Sequence, residues 1–132
     1  MRLLYVLGVF VFTILIGGCS TDGEELFTGK YVDEETIEFN EHKVTDQDQI
    51  DVVKEILDSG KELTKQEAPS SLPDLVVRID HKDDSTMVLA SSIWFNDDAT
   101  AIYYRGFDHI GDKELYILSE DETERLKSNL PK

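Results

Sequence analysis

The residue best placed for chemistry is Cys19, because it is the single cysteine of the chain and directly follows a hydrophobic leader. Arg2 is the one charged side chain of the first nineteen residues, and residues 3–16 contain nothing more polar than Thr13 and Tyr5. A charged start, a short apolar stretch and small residues before a cleavage point are typical of a secretory signal peptide. The apolar stretch is shorter than the roughly 20 residues of a bilayer-spanning helix.

The segment Ile16–Cys19 (IGGC) resembles the lipobox of bacterial lipoproteins. The resemblance implies that a peptidase removes residues 1–18, that the Cys19 thiol receives a diacylglyceryl group, and that Cys19 becomes the mature N-terminus. Two acyl chains give stable anchoring, whereas one chain is marginal and reversible. We therefore predict a lipid-anchored protein on the extracytoplasmic face of the cell membrane. The alternatives are an ordinary secreted protein and an uncleaved N-terminal anchor.

The other residue types that support catalysis do not form a recognisable motif. His42, His81 and His109 fall in three separate predicted loops or strand ends, and none has the spacing of a metal ligand pair. The chain also lacks a Gly-x-Ser-x-Gly elbow and a Ser-x-x-Lys motif, which position a nucleophile in known hydrolases. We therefore predict a protein that is not an enzyme and that needs no cofactor.

Acidic side chains are abundant and concentrate in predicted turns. Asp83–Asp84, Asn96–Asp98, and Asp108 with Asp112 are typical turn formers. If two hairpins brought such clusters together, they could hold Ca²⁺ weakly. The alternative is a set of solvated turns, and we assign no metal ligand.

Two arginines and two aromatic residues fall inside predicted strands and form the candidate binding surface. Strict alternation places Arg78 and Trp94 opposite the apolar positions of their strands, and Arg105 on the same face as Tyr103. Arginine and aromatic side chains are common anchors of protein interfaces. We therefore predict that these four residues share a sheet face that no helix covers. The alternative is that the arginine stems lie over an exposed sheet, paired with Asp80 or Glu114, and that Trp94 only covers apolar surface. Strand register also leaves open whether Tyr103 and Tyr104 exchange faces.

Composition limits the class of protein further. The chain has 132 residues, a formal net charge of −15 and 40% hydrophobic residues, which suits one globular domain with a core. The acidity excludes a nucleic-acid-binding protein, because too few cations are present to replace counterions along a phosphate backbone.

Hydrophobic periodicity predicts an α+β domain. One helix should run from Asp46 to about Ser59 after a capping box that begins at Thr45, and a second should follow the capping box at Ser119. The order β-α-β-β-β-β-α predicts an antiparallel sheet of about five strands with two helices on one face, after a cleaved signal peptide. The strands are expected at residues 35–41, 75–81, 86–95, 99–107 and 114–118.

The chain should therefore divide into three parts. Residues 1–18 are the lipoprotein signal peptide, and residues 31–132 form a single α+β globular domain. Residues 19–30 are the lipidated cysteine and a flexible tether, because the segment is polar, acidic and contains glycine.

The stretch from Tyr31 to Leu130 resembles small lipoprotein domains of the YhfM-like kind from Gram-positive bacteria. The segments that carry the resemblance are YVDEETIEFN, KVTDQDQIDVVKEILDSG, SSIWFNDDATAIYYRG and ELYILSEDETERLKSNL. The resemblance implies a location in the cell envelope and an α+β fold. It implies no catalytic residue, because the family has no assigned activity.

The sequence thus predicts a non-enzymatic binding domain, anchored to the membrane through Cys19, whose partner is an envelope protein or wall component. Two alternatives stay open. One is a small inhibitor or regulator of an extracellular enzyme that presents the loop from Asp108 to Lys113. The other is a weak Ca²⁺-binding envelope protein.

Overall fold

The computed structural model describes residues 23–64, 68–107 and 114–131. The predicted signal peptide and Cys19 lie outside the described residues. Helix α1 spans Gln47–Ser59 and helix α2 spans Glu120–Ser128. The strands are β1 (Glu24–Tyr31), β2 (Ile37–Phe39), β3 (Lys61–Leu63), β4 (Leu75–His81), β5 (Met87–Phe95), β6 (Ala101–Arg105) and β7 (Leu115–Leu118).

All seven strands belong to one antiparallel sheet in the order β2-β1-β4-β5-β6-β7-β3. The predicted α+β class, the antiparallel sheet and the two helices are confirmed. The predicted number of about five strands is wrong, because β1 and β3 were not expected.

Strand β1 replaces most of the predicted tether. It lies inside the sheet between β2 and β4 and pairs with β4 from Glu24 to Gly29. Leu26 is fully buried, and its backbone also exchanges two hydrogen bonds of 2.9 Å with Val44. The folded domain therefore includes residues 24–30, and the boundary predicted at residue 31 is wrong.

Strand β3 has only three residues and no apolar alternation of its own. It is the edge strand next to β7, where Leu63 lies opposite Leu115. Such a short strand forms because tertiary pairing fixes it, and local propensity gives little signal for it.

The helix starts differ in how closely they follow the sequence pattern. Helix α1 is capped by Asp46, whose carboxylate accepts from the backbone N–H groups of Asp48 and Gln49. The predicted cap at Thr45 is therefore wrong by one residue. Helix α2 has the predicted capping box, in which Ser119 accepts from the N–H of Glu122 and the Glu122 carboxylate accepts from the N–H of Ser119. Among the described residues, neither helix is long and apolar enough to cross a bilayer.

Both helices pack on the same side of the sheet, which we call the helix face. The buried side chains of the helices and of the strands form one cluster, which is the main core of the domain. Its buried members are Leu26, Ile50, Val53, Ile56, Leu57, Val77, Ile79, Ile93, Ala101, Tyr103, Leu118, Leu126 and Leu130.

Candidate functional site

The side of the sheet opposite the helices, which we call the second face, is only partly covered by described residues. Over β5, β6 and β7 it carries a small buried cluster of Trp94, Ile102, Tyr104 and Leu115. The connector that precedes β4 lies against this cluster, because the indole Nε1 of Trp94 donates to the carbonyl of Ser71 at 3.0 Å. This half of the second face is therefore a minor core.

The residues after β6 turn back across the middle of the second face. The hydroxyls of Tyr31 and Tyr104 both donate to the carbonyl of Phe107, and the Ser92 hydroxyl donates to the carbonyl of Gly106 at 2.9 Å. Gly106 has a φ of 115°, a conformation that only glycine adopts without strain. The side chains of β1, β5 and β6 thus hold this turn in place.

The remaining part of the second face, over β2, β1, β4 and β5, holds five half-buried side chains that we call the open strip. The strand register brings Phe27 opposite Arg78 and Arg78 opposite Ala90. On the edge side, β2 adds two further apolar residues. The open strip consists of Phe27, Ile37, Phe39, Arg78 and Ala90.

Gly29 allows the aromatic edge of the open strip to pack closely. A Cβ atom at position 29 would lie 2.8 Å from the carbonyl oxygen of Glu38 and 3.0 Å from the Phe39 ring. The missing side chain leaves room for Phe39, whose ring meets Phe107 edge-on with 6.0 Å between centroids. The Phe39 ring is thereby fixed from two sides.

Arg78 is the cationic member of the open strip. Its Nε donates to the carboxylate of Asp80 at 2.8 Å, and its Cζ lies 5.7 Å from the centroid of the Phe39 ring. Among the described residues, that carboxylate is its one hydrogen-bond acceptor. The arginine is therefore oriented by an acid and a ring, and its two terminal amino groups keep their capacity to donate.

The four sequence-predicted binding residues do not share a face. Arg78 and Trp94 lie on the second face, but Trp94 is only 4% exposed and cannot meet a partner on that surface. Tyr103 lies opposite Ile93 of the main core, so the prediction of one shared face is wrong. The reason is register: Trp94 pairs with Ile102, which places the neighbouring Tyr104 on the second face and Tyr103 on the helix face.

Tyr103 has a structural role on the helix face. Its hydroxyl donates to the carbonyl of Leu57 near the end of α1 at 2.7 Å. Burial raises the pKa of Tyr103 to about 12, so the hydroxyl keeps the proton that it donates.

Arg105 lies at the margin of the same face. Its guanidinium stands 4.6 Å from the centroid of the Tyr116 ring and 3.6 Å from the Asp58 carboxylate. Its side chain is 53% exposed, and it has no contact with the open strip. Neither Tyr103 nor Arg105 is therefore brought together with Arg78.

Sequence reasoning missed the aromatic part of the open strip. Phe27 was assigned to the tether, because EELFTGKY contains three charged residues and a glycine. The sequence did contain a signal for a strand, namely the alternation of Leu26 and Thr28 with Phe27 and Gly29. In the structure, Leu26 and Thr28 are buried on the helix face. The alternation of residues 35–41 predicts that Ile37 and Phe39 share one face of their strand, and they do; only the pairing of β2 with β1 shows that this is the second face.

The two acidic turns that fall within the described residues lie too far apart to form one calcium site. Turn 82–86 and turn 96–100 lie at opposite ends of β5, which has nine residues and therefore spans about 30 Å. The proposed meeting of these two clusters is wrong, and Asp108 and Asp112 lie outside the described residues. No group of three or more potential metal ligands occurs within residues 23–64, 68–107 and 114–131.

The turn carboxylates have local structural partners. Backbone N–H donors lower the pKa of Asp33 and of Asp84, and the hydroxyl and N–H of Thr100 lower the pKa of Asp98. These three carboxyl groups therefore become protonated only at a lower pH than ordinary aspartates. Their shifts are explained by turn geometry and point to no reaction.

Comparisons of the chain with protein-family models, with curated proteins and with solved structures found no match. The resemblance to YhfM-like lipoproteins therefore stays a prediction, and a proposal of function depends on the residues of this chain.

Proposed function

We propose that this protein is a lipid-anchored lipoprotein of the cell envelope, held to the extracytoplasmic face of the membrane through Cys19, whose folded domain binds another envelope protein without catalysing a reaction. The observation that carries the binding role is the open strip, where half-buried aromatic side chains surround an arginine on a rigid sheet. The lipobox-like segment that ends at Cys19 supports the location.

The open strip has the composition of an interface anchor. Interfaces are enriched in aromatic residues and arginine, and their energy concentrates in a few such residues. The flanking strands hold Phe27 and Arg78 in register, so that little conformational entropy would be lost on binding.

The charge of this chain limits the class of partner that it can bind. The chain carries a formal net charge of −15, and the Arg78 charge is already offset by Asp80. A strongly anionic wall polymer would therefore be repelled at long range. A neutral or basic protein surface that offers apolar side chains and a hydrogen-bond acceptor for Arg78 fits better, and this is the partner we propose.

The alternative of an enzyme inhibitor depends on the loop from Asp108 to Lys113, which lies outside the described residues. Since no observation on the described residues favours it, we keep the open strip as the binding surface.

A matched pair of charge reversals tests this assignment. Arg78→Glu alters the open strip, whereas Arg105→Glu makes the same charge change on the helix-face margin. Tagged full-length proteins would be cross-linked in their native membranes, and the captured proteins quantified by mass spectrometry. We expect one envelope protein to be recovered with wild type and with Arg105→Glu, and to be depleted several-fold with Arg78→Glu.

Phe27→Ser provides a second variant, because it removes an aromatic contact without changing the charge. Urea unfolding of each protein shows that the variant is folded in the range where capture is compared. Equal recovery of every protein by wild type, Arg78→Glu and Phe27→Ser would contradict the assignment of the open strip.

A further inference from the structure

Both outer strands of the sheet are short, but only one of them borders the open strip. The sheet ends at β2 on one side and at β3 on the other, and each strand has three residues. Strand β3 adjoins the covered half of the second face, because Leu63 packs against the minor core. Strand β2 carries Ile37 and Phe39 of the open strip, so its outer edge continues that surface.

The hydrogen bonds of β2 show which of its backbone groups face outward. The N–H of Asn40 donates to the carbonyl of Thr28 in β1 at 2.8 Å. Residues of an antiparallel strand face the neighbouring strand alternately, so Glu38 also bonds to β1. The N–H and C=O groups of Ile37 and Phe39 therefore point away from the sheet. Within the described part of the chain, these four groups bond to no other segment.

This edge is open to pairing with a further strand. An extended segment that adds to an exposed edge gains affinity from main-chain hydrogen bonds and specificity from its alternate side chains. All strand pairs of this sheet are antiparallel. In that arrangement, residues opposite Ile37 and Phe39 would exchange hydrogen bonds with them and place their side chains on the second face. Apolar residues at those positions would extend the open strip.

The charge of the hairpin formed by β1 and β2 determines what fits on the other side of the added strand. Residues 31–41 contain five acids and no lysine or arginine. Lys30 lies opposite the exposed Glu38 on the helix face, but no ion pair of the described residues includes Glu38. Opposite charges at directly opposed positions stabilise a strand pair, so a basic residue fits beside Glu38.

Two further cations of this half of the molecule do not neutralise the edge. Lys43 is paired with Glu25 at 2.9 Å. Lys127 lies 4.4 Å from the centroid of the Phe95 ring in β5. Strand β5 is three strands from β2, and therefore about 14 Å away. The helix-face side of the β2 edge thus remains acidic.

A cavity beside β2 gives room for a long basic side chain. It has a volume of about 460 Å³ and extends from β2 to Pro131, which follows α2. Thr28 and Glu38 both line the cavity, and Thr28 is buried on the helix face. A lysine or arginine beside Glu38 would therefore enter open space and would not meet a packed core.

We propose that the outer edge of β2 is a strand-docking site, to which the partner of the open strip adds an extended antiparallel segment of alternating apolar and basic residues. The apolar side chains of this segment lie beside Ile37 and Phe39, and a basic side chain lies beside Glu38. This inference rests on the proposed function, because it takes the open strip as the surface that the partner binds and states how the partner is recognised.

The same acid disfavours a second copy of this chain as the occupant. Two β2 edges paired about their centres would set two Glu38 carboxylates directly opposite each other, and like charges in that position are destabilising. A charged residue on a short edge strand is a common protection against such pairing. The edge is therefore protected against self-association but can still pair with a basic segment.

Amide hydrogen exchange tests the pairing directly. The full-length protein, purified in detergent from the membranes of its own cells, would be mixed with a blocked seven-residue peptide of alternating lysine and valine. Exchange would be followed residue by residue by NMR. In the free protein we expect fast exchange at Ile37 and Phe39 and slow exchange at Glu38. The peptide should slow the exchange of Ile37 and Phe39 several-fold, because their N–H groups become hydrogen-bonded.

Two methylated forms of the peptide separate strand pairing from side-chain contacts. Methylation of the valine amides removes the N–H groups that would face β2, whereas methylation of the lysine amides removes those that would face away. Both forms keep the same side chains and the same charge. We expect the first form to lose the protection of Ile37 and Phe39 and the second form to retain it.

A matched pair of charge reversals tests the basic position. Glu38 and Glu62 are the exposed central residues of the two edge strands. Glu38→Lys should weaken peptide binding about fivefold or more, because a like-charge pair replaces an opposite-charge pair. Glu62→Lys makes the same change at the far edge of the sheet and should alter the affinity by less than about twofold, because charges beyond the Debye length are screened. Slow exchange at Leu26 and Val77 shows that the sheet is intact in both variants.

The outcomes separate this inference from the proposed function. Peptide binding that is equal for both methylated forms and does not slow exchange at Ile37 and Phe39 overturns strand addition, and leaves the open strip as the binding surface. Failure of the unmethylated peptide to bind also overturns strand addition. If the peptide protects both residues through its valine amides, strand addition is supported, even where Arg78→Glu captures the same proteins as wild type and the assignment of the open strip falls.

Discussion

The two faces of the sheet are built from the same strands but are closed in different ways. The helix face is covered by α1 and α2 and contains thirteen buried residues in one cluster. The second face contains a buried cluster of four, covered by a connector and a turn, beside the half-buried open strip. The side chains of the helix face should therefore contribute most of the free energy of unfolding. The side chains of the open strip can then serve in binding with little effect on the stability of the fold.

The largest difference is expected from truncating one residue on each face. Ile93→Ala removes a fully buried side chain of the helix face and should lower the free energy of unfolding by about 2–5 kcal/mol. Phe27→Ala removes a half-buried ring and should cost about 1–2 kcal/mol, because part of its surface already contacts water. Urea denaturation measures both. A larger loss of unfolding free energy for Phe27→Ala than for Ile93→Ala would contradict the contrast between the two faces.

The contact between α1 and the sheet should give an intermediate effect. A Cβ atom at Gly60 would fall on the Tyr103 side chain, next to its hydroxyl and within 2.8 Å of two ring carbons. Gly60→Ala should therefore destabilise the fold by about 1–3 kcal/mol through overpacking. Tyr103→Phe alone should cost about 1 kcal/mol, because it removes the hydrogen bond to Leu57.

The double variant sharpens this point. Since Tyr103→Phe removes the atom nearest to the new methyl group, the double variant should lose less stability than the two single losses added together, with a coupling of about 1 kcal/mol. Strict additivity in urea unfolding would mean that Gly60 and Tyr103 do not contact each other.

The smallest effect is expected at the capping box of α2. The N–H of Ser119 lowers the pKa of Glu122 from its ordinary value of 4.5, although partial burial opposes the shift, and the Ser59 hydroxyl contributes in the same direction. A depressed pKa means that the ionised form stabilises the fold. This contribution is complete above the unfolded value of 4.5 and is lost as the pH falls through the lower folded pKa.

Glu122→Gln measures this contribution. Because the carboxylate lies near the surface and is screened by solvent, the variant should lose only about 0.5 kcal/mol at neutral pH. The difference from wild type should disappear in acid, below the folded pKa of Glu122. A difference that is constant from neutral pH into acid would show that the carboxylate charge is not involved.

Segments with a regular local sequence pattern were predicted well, and segments without one were missed. Local patterns of helix caps and hydrophobic periodicity predict three features correctly. These are the α+β class, α1 to within one residue of its start, and the Ser119 capping box. Strand β1 was missed because its acids and glycine imitate a linker, and β3 because only its pairing with β7 defines it. Both depend on contacts between residues distant in sequence, which local propensity does not contain.

The candidate site depends on register, which is why it was predicted only in part. Arg78 was found because its alternation with Val77 and Ile79 is regular. Tyr103 and Arg105 were assigned to the wrong face, because a shift of one residue exchanges every side chain between faces. Phe27 and Phe39 join Arg78 only through the pairing of β1 with β4 and β2.

The most direct test of the account is the intact mass of the mature protein purified from the membranes of its own cells. The account predicts a chain that starts at Cys19, lacks residues 1–18 and carries the added mass of a diacylglyceryl group on that residue. A chain that retains the leader, or one that begins elsewhere with an unmodified thiol, would contradict it.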